Sequence, residues 1–189
     1  RPPYLKPGPV SAVIQSGGFG NSMVVEAAFA GLGFQNVVAS GNETDISAAE
    51  LISAFVDDPH TRVILAYLEG VSDGRAFMSA ARQALMAGKP LVVLKGGNTR
   101  QGLRVASSHT ASMTGSYEIY RAAFRQCGIL RAADFDELDD LVLSFWHLPL
   151  PQGRRLAIMT YTLGAGVLAT DACVGCGIEL ASLSTGTKQ

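Results

Sequence analysis

Of the three histidines in this chain, His109 stands in the surroundings best suited to chemistry. It lies within residues 96–114, about 19 residues without apolar periodicity, and connections longer than roughly 12–15 residues are usually functional. Ser107, Ser108 and Thr110 flank it, and no apolar stripe or helix interior claims its ring. A carboxylate, Glu69, closes the run Tyr67-Leu68-Glu69-Gly70. A third feature is Gln15-Ser16-Gly17-Gly18-Phe19-Gly20-Asn21-Ser22, a glycine-rich turn opening into a helix. Free backbone N–H groups and the positive end of a helix dipole there suit an anion. The three fit a phosphorylated histidine: Glu69 would fix the tautomer, one ring nitrogen would attack phosphorus, and N–H groups would neutralise the phosphoryl oxygens. That chemistry requires no metal site within the chain.

Other readings of the same residues stay open. The turn is not a complete G-x-G-x-x-G fingerprint, because Met23 takes the last place when counting starts at Gly18, and no Gly-Lys-Ser/Thr follows to make a P-loop. Its glycines could serve only a tight strand-to-helix turn. Ser16, Glu69 and His109 also fall in the chain order of an α/β-hydrolase triad, but Ile14 stands where G-x-S-x-G requires glycine. His60, in the turn Asp57-Asp58-Pro59-His60, and His147, at a helix end before a linker, suit turn and cap roles. Cys127, Cys173 and Cys176 cannot all pair and read as buried free thiols. Cys173 and Cys176 have C-x-x-C spacing, but at the C-terminal end of a helix, where no dipole stabilises a thiolate, and no second ligand pair makes a metal site.

Short β-rich runs alternating with helical patterns must position these groups. Strands are expected over 11–15, 36–40, 63–68, 91–95 and 129–131, with helices over 21–31, 48–57, 74–87, 116–127 and 135–146. Ser47 with Glu50, and Asp134 with Glu137, have capping-box spacing, while Gly31, Gly88 and Gly128 mark stops. Strict alternation points to an α/β, flavodoxin-like doubly wound parallel sheet, with the order 2-1-3-4-5 assumed. In that order the strand ends before Ser16 and at Glu69 flank the switch point where ligands bind. Lys95 ends the fourth strand and, with Ser108 and Thr110, is assigned to supporting the loop.

A proline-rich break follows at Leu148-Pro149-Leu150-Pro151-Gln152-Gly153. The pattern then restarts with a strand over 156–161, a helix over 167–175 and a strand over 178–183. One β-α-β unit cannot bury its own faces. The expected organisation is therefore a flavodoxin-like domain at 1–148, a linker at 149–153 and the truncated start of a similar domain at 154–189, the whole being a fragment that associates with other domains or copies. Hydrophobic residues make up 48% and charged ones 16%, and the net charge of −1 arises from scattered side chains, which argues against nucleic-acid or anionic-membrane surfaces. Apolar runs fall short of the roughly 18–20 residues of a membrane span, and Arg1-Pro2-Pro3-Tyr4 has no signal-peptide character, so a cytoplasmic protein is expected.

The stretch 95–115, KGGNTRQGLRVASSHTASMTG, resembles the phosphohistidine loop of NDP-forming acyl-CoA synthetases and of the succinyl-CoA synthetase α subunit. Gly8-Pro9-Val10 leading to Gln15-Ser16-Gly17, Gly41-Asn42-Glu43-Thr44-Asp45, Asp58-Pro59 and Tyr67-Leu68-Glu69 follow the family's order and spacing, so the resemblance covers nearly the whole chain. It implies a reversible conversion of acyl-CoA, phosphate and NDP to acid, CoA and NTP through acyl phosphate and phosphohistidine. His109 aligns with the phosphorylated histidine, Glu69 with the carboxylate that holds it, and Ser16, Gly17 and Gly18 with one helix terminus that grips the phosphoryl group. A second such terminus would begin near Gly164-Ala165-Gly166. The resemblance further implies a CoA-binding domain and an ATP-grasp domain as partners, with CoA and ATP or ADP with Mg²⁺ as substrates of the intact enzyme. Ala111 replaces the family's glycine after His-Thr, Thr114 replaces a small residue, and Tyr161-Thr162-Leu163-Gly164 stands where Asn-x-Gly-Gly is usual. Those departures favour the alternative of a noncatalytic nucleotide- or anion-binding module with the same fold.

Overall fold

The strands expected from the apolar runs assemble into one parallel sheet, and side-chain alternation explains how both of its faces are covered. The computed structural model describes residues 5–99, 101–102 and 116–187. Strands β1 (Pro7–Ile14), β2 (Phe34–Ala39), β3 (Val63–Leu68), β4 (Leu91–Lys95) and β5 (Leu130–Ala132) lie in the order β2-β1-β3-β4-β5. Residues alternate between faces along each central strand. Val13, Ile64, Ala66, Leu68, Leu91 and Val93 point into one apolar core. Ala12, Ile14, Val63, Leu65, Val92 and Leu94 point into the other. Burial on both sides makes these strands continuously apolar rather than amphipathic, as parallel sheets require.

Helices α1 (Gly17–Phe29) and α5 (Phe135–His147) cover the second core, supplying Met23, Val24, Ala27, Leu138 and Val142. Helices α2 (Ala48–Asp57), α3 (Gly74–Met86) and α4 (Tyr117–Cys127) cover the first, supplying Ile52, Phe55, Phe77 and Phe124. Their ends carry the anticipated chemistry. Ser47 and Glu50 form a reciprocal capping box on α2. On α5, Asp134 accepts the Glu137 amide at 2.9 Å, but the Glu137 carboxylate reaches back to the amide of Ala133, one residue upstream of the cap. Gly31, Gly88 and Gly128 have positive φ, so each occupies the stop position its spacing indicated.

Helix α1 starts at Gly17, four residues ahead of the expected start at Asn21. The first N–H groups of a helix have no intrahelical acceptor in any case, so glycines that look like a turn in sequence can form its first turn. Strand β1 likewise begins at Pro7 rather than at Ser11.

Residues 149–189 form a separate compact unit. It holds β6 (Arg155–Leu156), α6 (Leu163–Gly175), β7 (Glu179–Leu180) and a short 3₁₀ turn at Thr185–Thr187. The longer strands expected at 156–161 and 178–183 shrink to a two-residue parallel pair, Arg155 with Glu179 and Leu156 with Leu180. Among the described residues each strand has only the other as a ladder partner, and a lone two-stranded pair is marginal. Among the described residues of this unit Cys173 alone is buried, while Met159, Tyr161 and Leu163 lie open. Cys176 is exposed at the end of α6, which corrects the expectation of three buried thiols; Cys127 and Cys173 are buried, and all three are free.

Candidate functional site

At the carboxyl ends of β1 and β3, the strands on either side of the switch point, the chain leaves the sheet with its polar groups tied together. The β1–β3 register pairs Ile14 with Tyr67, and the amide of Gln15 continues the ladder to the Tyr67 carbonyl at 3.1 Å. Ser16 follows in an extended conformation with no side-chain capping bond, and α1 begins at Gly17 with no acidic residue in its first turn. Neither the cap side chain nor an acidic side chain of the first turn therefore neutralises this positive helix end. Among the described residues, a Cβ placed on Gly17 or Gly18 would meet nothing within 4 Å, whereas one on Gly20 would lie 2.5 Å from Cγ2 of Ile14. Gly20 is thus needed for close packing of α1 on β1, and Gly17 and Gly18 are not.

Glu69, half-buried just past β3, is held from three directions. Gln15 Oε1 accepts the amides of Glu69 at 2.6 Å and Gly70 at 3.0 Å, and Gln15 Nε2 donates to the Gly70 carbonyl at 2.8 Å and to Glu43 Oε1 at 2.6 Å. Tyr67 Oη donates to Glu69 Oε1 at 3.2 Å. Burial, reinforced by the Glu69 charge, pushes the Tyr67 phenol up to about 12, so it remains a donor throughout the physiological range. Tyr67 in turn packs against Phe19 of the first α1 turn, ring centroids 4.6 Å apart, and Phe19 against Phe135 at 5.1 Å.

Lys95 is 2% exposed, and its Nζ donates to the carbonyls of Glu69, at 2.9 Å, and Gly96. The ammonium also sits 4.6 Å from the centroid of the Tyr120 ring. Desolvation lowers its pKa to about 8, with the Glu69 charge opposing. The described contacts of Lys95 thus support the Glu69 backbone. Tyr120 Oη accepts the Val71 amide at 3.1 Å, tying α4 to the same turn.

The structure brings together Ser16, Gly17, Gly18, Glu69 and Lys95. His109, Ser108 and Thr110 lie outside the described residues. Gly164, Ala165 and Gly166 form the first turn of α6 in the second unit, after an extended Thr162 that makes no side-chain cap. His60 donates its amide to Asp58 at 2.9 Å, in keeping with a turn role, and His147, the last residue of α5, stacks on Trp146. Sequence reasoning assigned no role to Gln15, Tyr67 or Glu43, although each stands in a quoted motif. Their partners are distant in sequence, so no local spacing marks them. Among the described residues, no group of three histidine, cysteine or acidic side chains could hold a metal, and no helix is long and apolar enough to cross a membrane.

A doubly wound parallel sheet in the order 2-1-3-4-5, with helices on both faces, defines a flavodoxin-like domain. Residues 7–145 match the succinyl-CoA ligase like flavodoxin domain, and the chain belongs to that family. The α subunit of acetate–CoA ligase (ADP-forming) I from Pyrococcus furiosus is 41% identical over 179 residues, which are 95% of this chain and 38% of the relative. The 4-hydroxybutyrate–CoA ligase (ADP-forming) of Nitrosopumilus maritimus is 34% identical across 97% of this chain and 26% of its own length. The acetyl-coenzyme A synthetase 1 of Ca. Korarchaeum cryptofilum, solved with phosphate and ADP, superposes with a TM-score of 0.89 at 36% identity, over 95% of this chain and 39% of that one. The chain therefore spans less than two fifths of the length of each of these relatives.

Proposed function

We propose that this chain is the phosphohistidine-bearing part of an acid–CoA ligase (NDP-forming), in which His109 carries a phosphoryl group between acyl phosphate and NDP. The observation that carries the reading is the meeting of the uncapped α1 terminus and the tethered Glu69 carboxylate at one switch point, beside Lys95, which ends β4 immediately before the 96–114 segment that holds His109. One imidazole nitrogen attacks phosphorus, the bond from phosphorus to the acyl oxygen breaks, and the free acid leaves. Glu69 accepts the N–H of the other ring nitrogen and offsets the charge gained on attack. The amides of the α1 first turn face the phosphoryl oxygens. Transfer to NDP then regenerates the neutral ring.

In this reading, residues 1–148 are the flavodoxin-like domain, 149–153 a linker, and 154–189 the opening of a second domain whose Gly164-Ala165-Gly166 turn supplies another anion grip. CoA-binding and ATP-grasp domains or subunits complete a cytoplasmic, oligomeric enzyme that uses CoA and ATP or ADP with Mg²⁺. The ligase names and 34–41% identities of the relatives support this assignment. Incubating the full-length protein with ATP and Mg²⁺ should place acid-labile phosphate on His109, detectable by mass spectrometry at neutral pH and lost in His109→Ala. A full-length enzyme that turns over with His109 unmodified in every state would overturn it.

A further inference from the structure

We infer that Gln15 and Tyr67 are positioning residues for Glu69: Gln15 sets its backbone against the α1 turn, and Tyr67 fixes one carboxylate oxygen so that the other is presented to the imidazole. This rests on the reading of His109 given above.

Gln15 is suited to the task by its donor and acceptor count. A primary amide offers one oxygen with two lone pairs and two N–H donors. Here the oxygen takes the amides of Glu69 and Gly70, and the nitrogen gives to Gly70 and Glu43, so both ends are committed. The side chain extends the β1–β3 ladder past the last backbone pairing, where the sheet itself has ended. Gln15 is also the residue immediately before Ser16, so a single residue sets the spacing between the helix end that would face the phosphoryl oxygens and the carboxylate behind the ring. Replacing it by glutamate would keep the acceptor, remove both donors and bring a carboxylate against that of Glu43.

Tyr67 acts on the carboxylate rather than the backbone. Its ring packs against Phe19 on one side, and the hydroxyl lies 3.0 Å from where a Cβ on Gly96 would stand, so a side chain at 96 would crowd it by a few tenths of an ångström. With Oε1 of Glu69 engaged by that hydroxyl, Oε2 has no partner among the described groups and is the oxygen left for His109. Among the described residues, Lys95, by contrast, touches only backbone oxygens and an aromatic ring at this site.

The test is single-turnover phosphorylation of His109 in the full-length protein with ATP and Mg²⁺, alongside thermal melts. Tyr67→Phe keeps the ring packing and deletes one hydrogen bond to a charged group, for which a rate loss on the order of tenfold is expected, with the ATP concentration dependence and melting temperature unchanged. Gln15→Met, which keeps the length, should lose more. In a Glu69→Ala background, where there is no carboxylate to orient, both substitutions should change the residual rate less than about twofold. Equal losses in the presence and absence of the Glu69 carboxylate overturn the proposal, as does an unchanged rate in Tyr67→Phe. A Gln15→Met protein that does not fold makes Gln15 structural and overturns its half, leaving Tyr67→Phe to decide the other. Absence of phosphate on His109 in the unmodified protein instead defeats the parent reading, and is seen before any variant is made.

Discussion

Lys95 Nζ donates to the backbone oxygen of Glu69 at 2.9 Å, so the residue that ends β4 holds up the turn that ends β3. The bond comes with a penalty, because the ammonium is almost wholly removed from water and its pKa falls from 10.5 to about 8. Between about pH 8 and 10.5 the unfolded chain binds the proton and the folded chain does not, so stability rises with pH across that window. Below it both states are protonated and the penalty is carried in full. Lys95→Met removes this dependence. Denaturant unfolding at about pH 7 and about pH 10 should show the wild type gaining on Lys95→Met as pH rises. Equal pH responses in the two proteins would contradict the assignment.

A carboxylate on the opposite sheet face titrates the other way. Asp139 of α5 is raised to about 6, first by burial and then by the charges of Glu26, Asp136 and Asp140. Its folded value lies above its unfolded value of 3.8, so the stability it contributes is present below that value and lost as pH rises to about 6. Asp139→Asn should flatten the decline and give a protein that melts higher than wild type at neutral pH, with little difference at about pH 3.5. Melting curves across that range would settle it, and a lower melting temperature for Asp139→Asn at neutral pH would show that the carboxylate has a stabilising partner.

The contrast between the two halves of the site shows what sequence can reveal. Ser47 with Glu50 and Asp134 with Glu137 announce helix starts because capping acts over three residues, and the apolar strands announce a sheet buried on both faces because alternation disappears in them. The strand order 2-1-3-4-5, only assumed from the alternation, is the order found. Glu69 and the glycine turn were legible as neighbours, because both stand at the carboxyl ends of strands that this order sets side by side. The Gln15 clamp was not, since its bonds span 54 and 55 residues and depend on β1 and β3 lying side by side. Nor was the early start of α1, because Gly17 and Gly18 read locally as turn formers. Strands β6 and β7 were overestimated for the converse reason: apolar runs state a propensity, but a ladder needs neighbours to realise it.

The three glycines of the first α1 turn supply the sharpest separation of stability from function. Gly20 lies against β1, and a methyl group there would sit 2.5 Å from Ile14 Cγ2, a side chain that is itself 1% exposed and cannot retreat. Gly20→Ala should therefore cost about 1–3 kcal/mol, the range for overpacking a filled core. No described residue lies within 4 Å of a Cβ on Gly17 or Gly18, so alanine at either should leave stability unchanged or raise it by up to about 1 kcal/mol, because alanine loses less backbone entropy in a helix. If those glycines leave room for phosphoryl oxygens to reach the amides, Gly17→Ala and Gly18→Ala must lower phosphate transfer to His109 in proteins that melt no lower than wild type. Full transfer in both variants would mean that the turn is glycine-rich for chain geometry alone, and the α1 terminus would lose its place in the site.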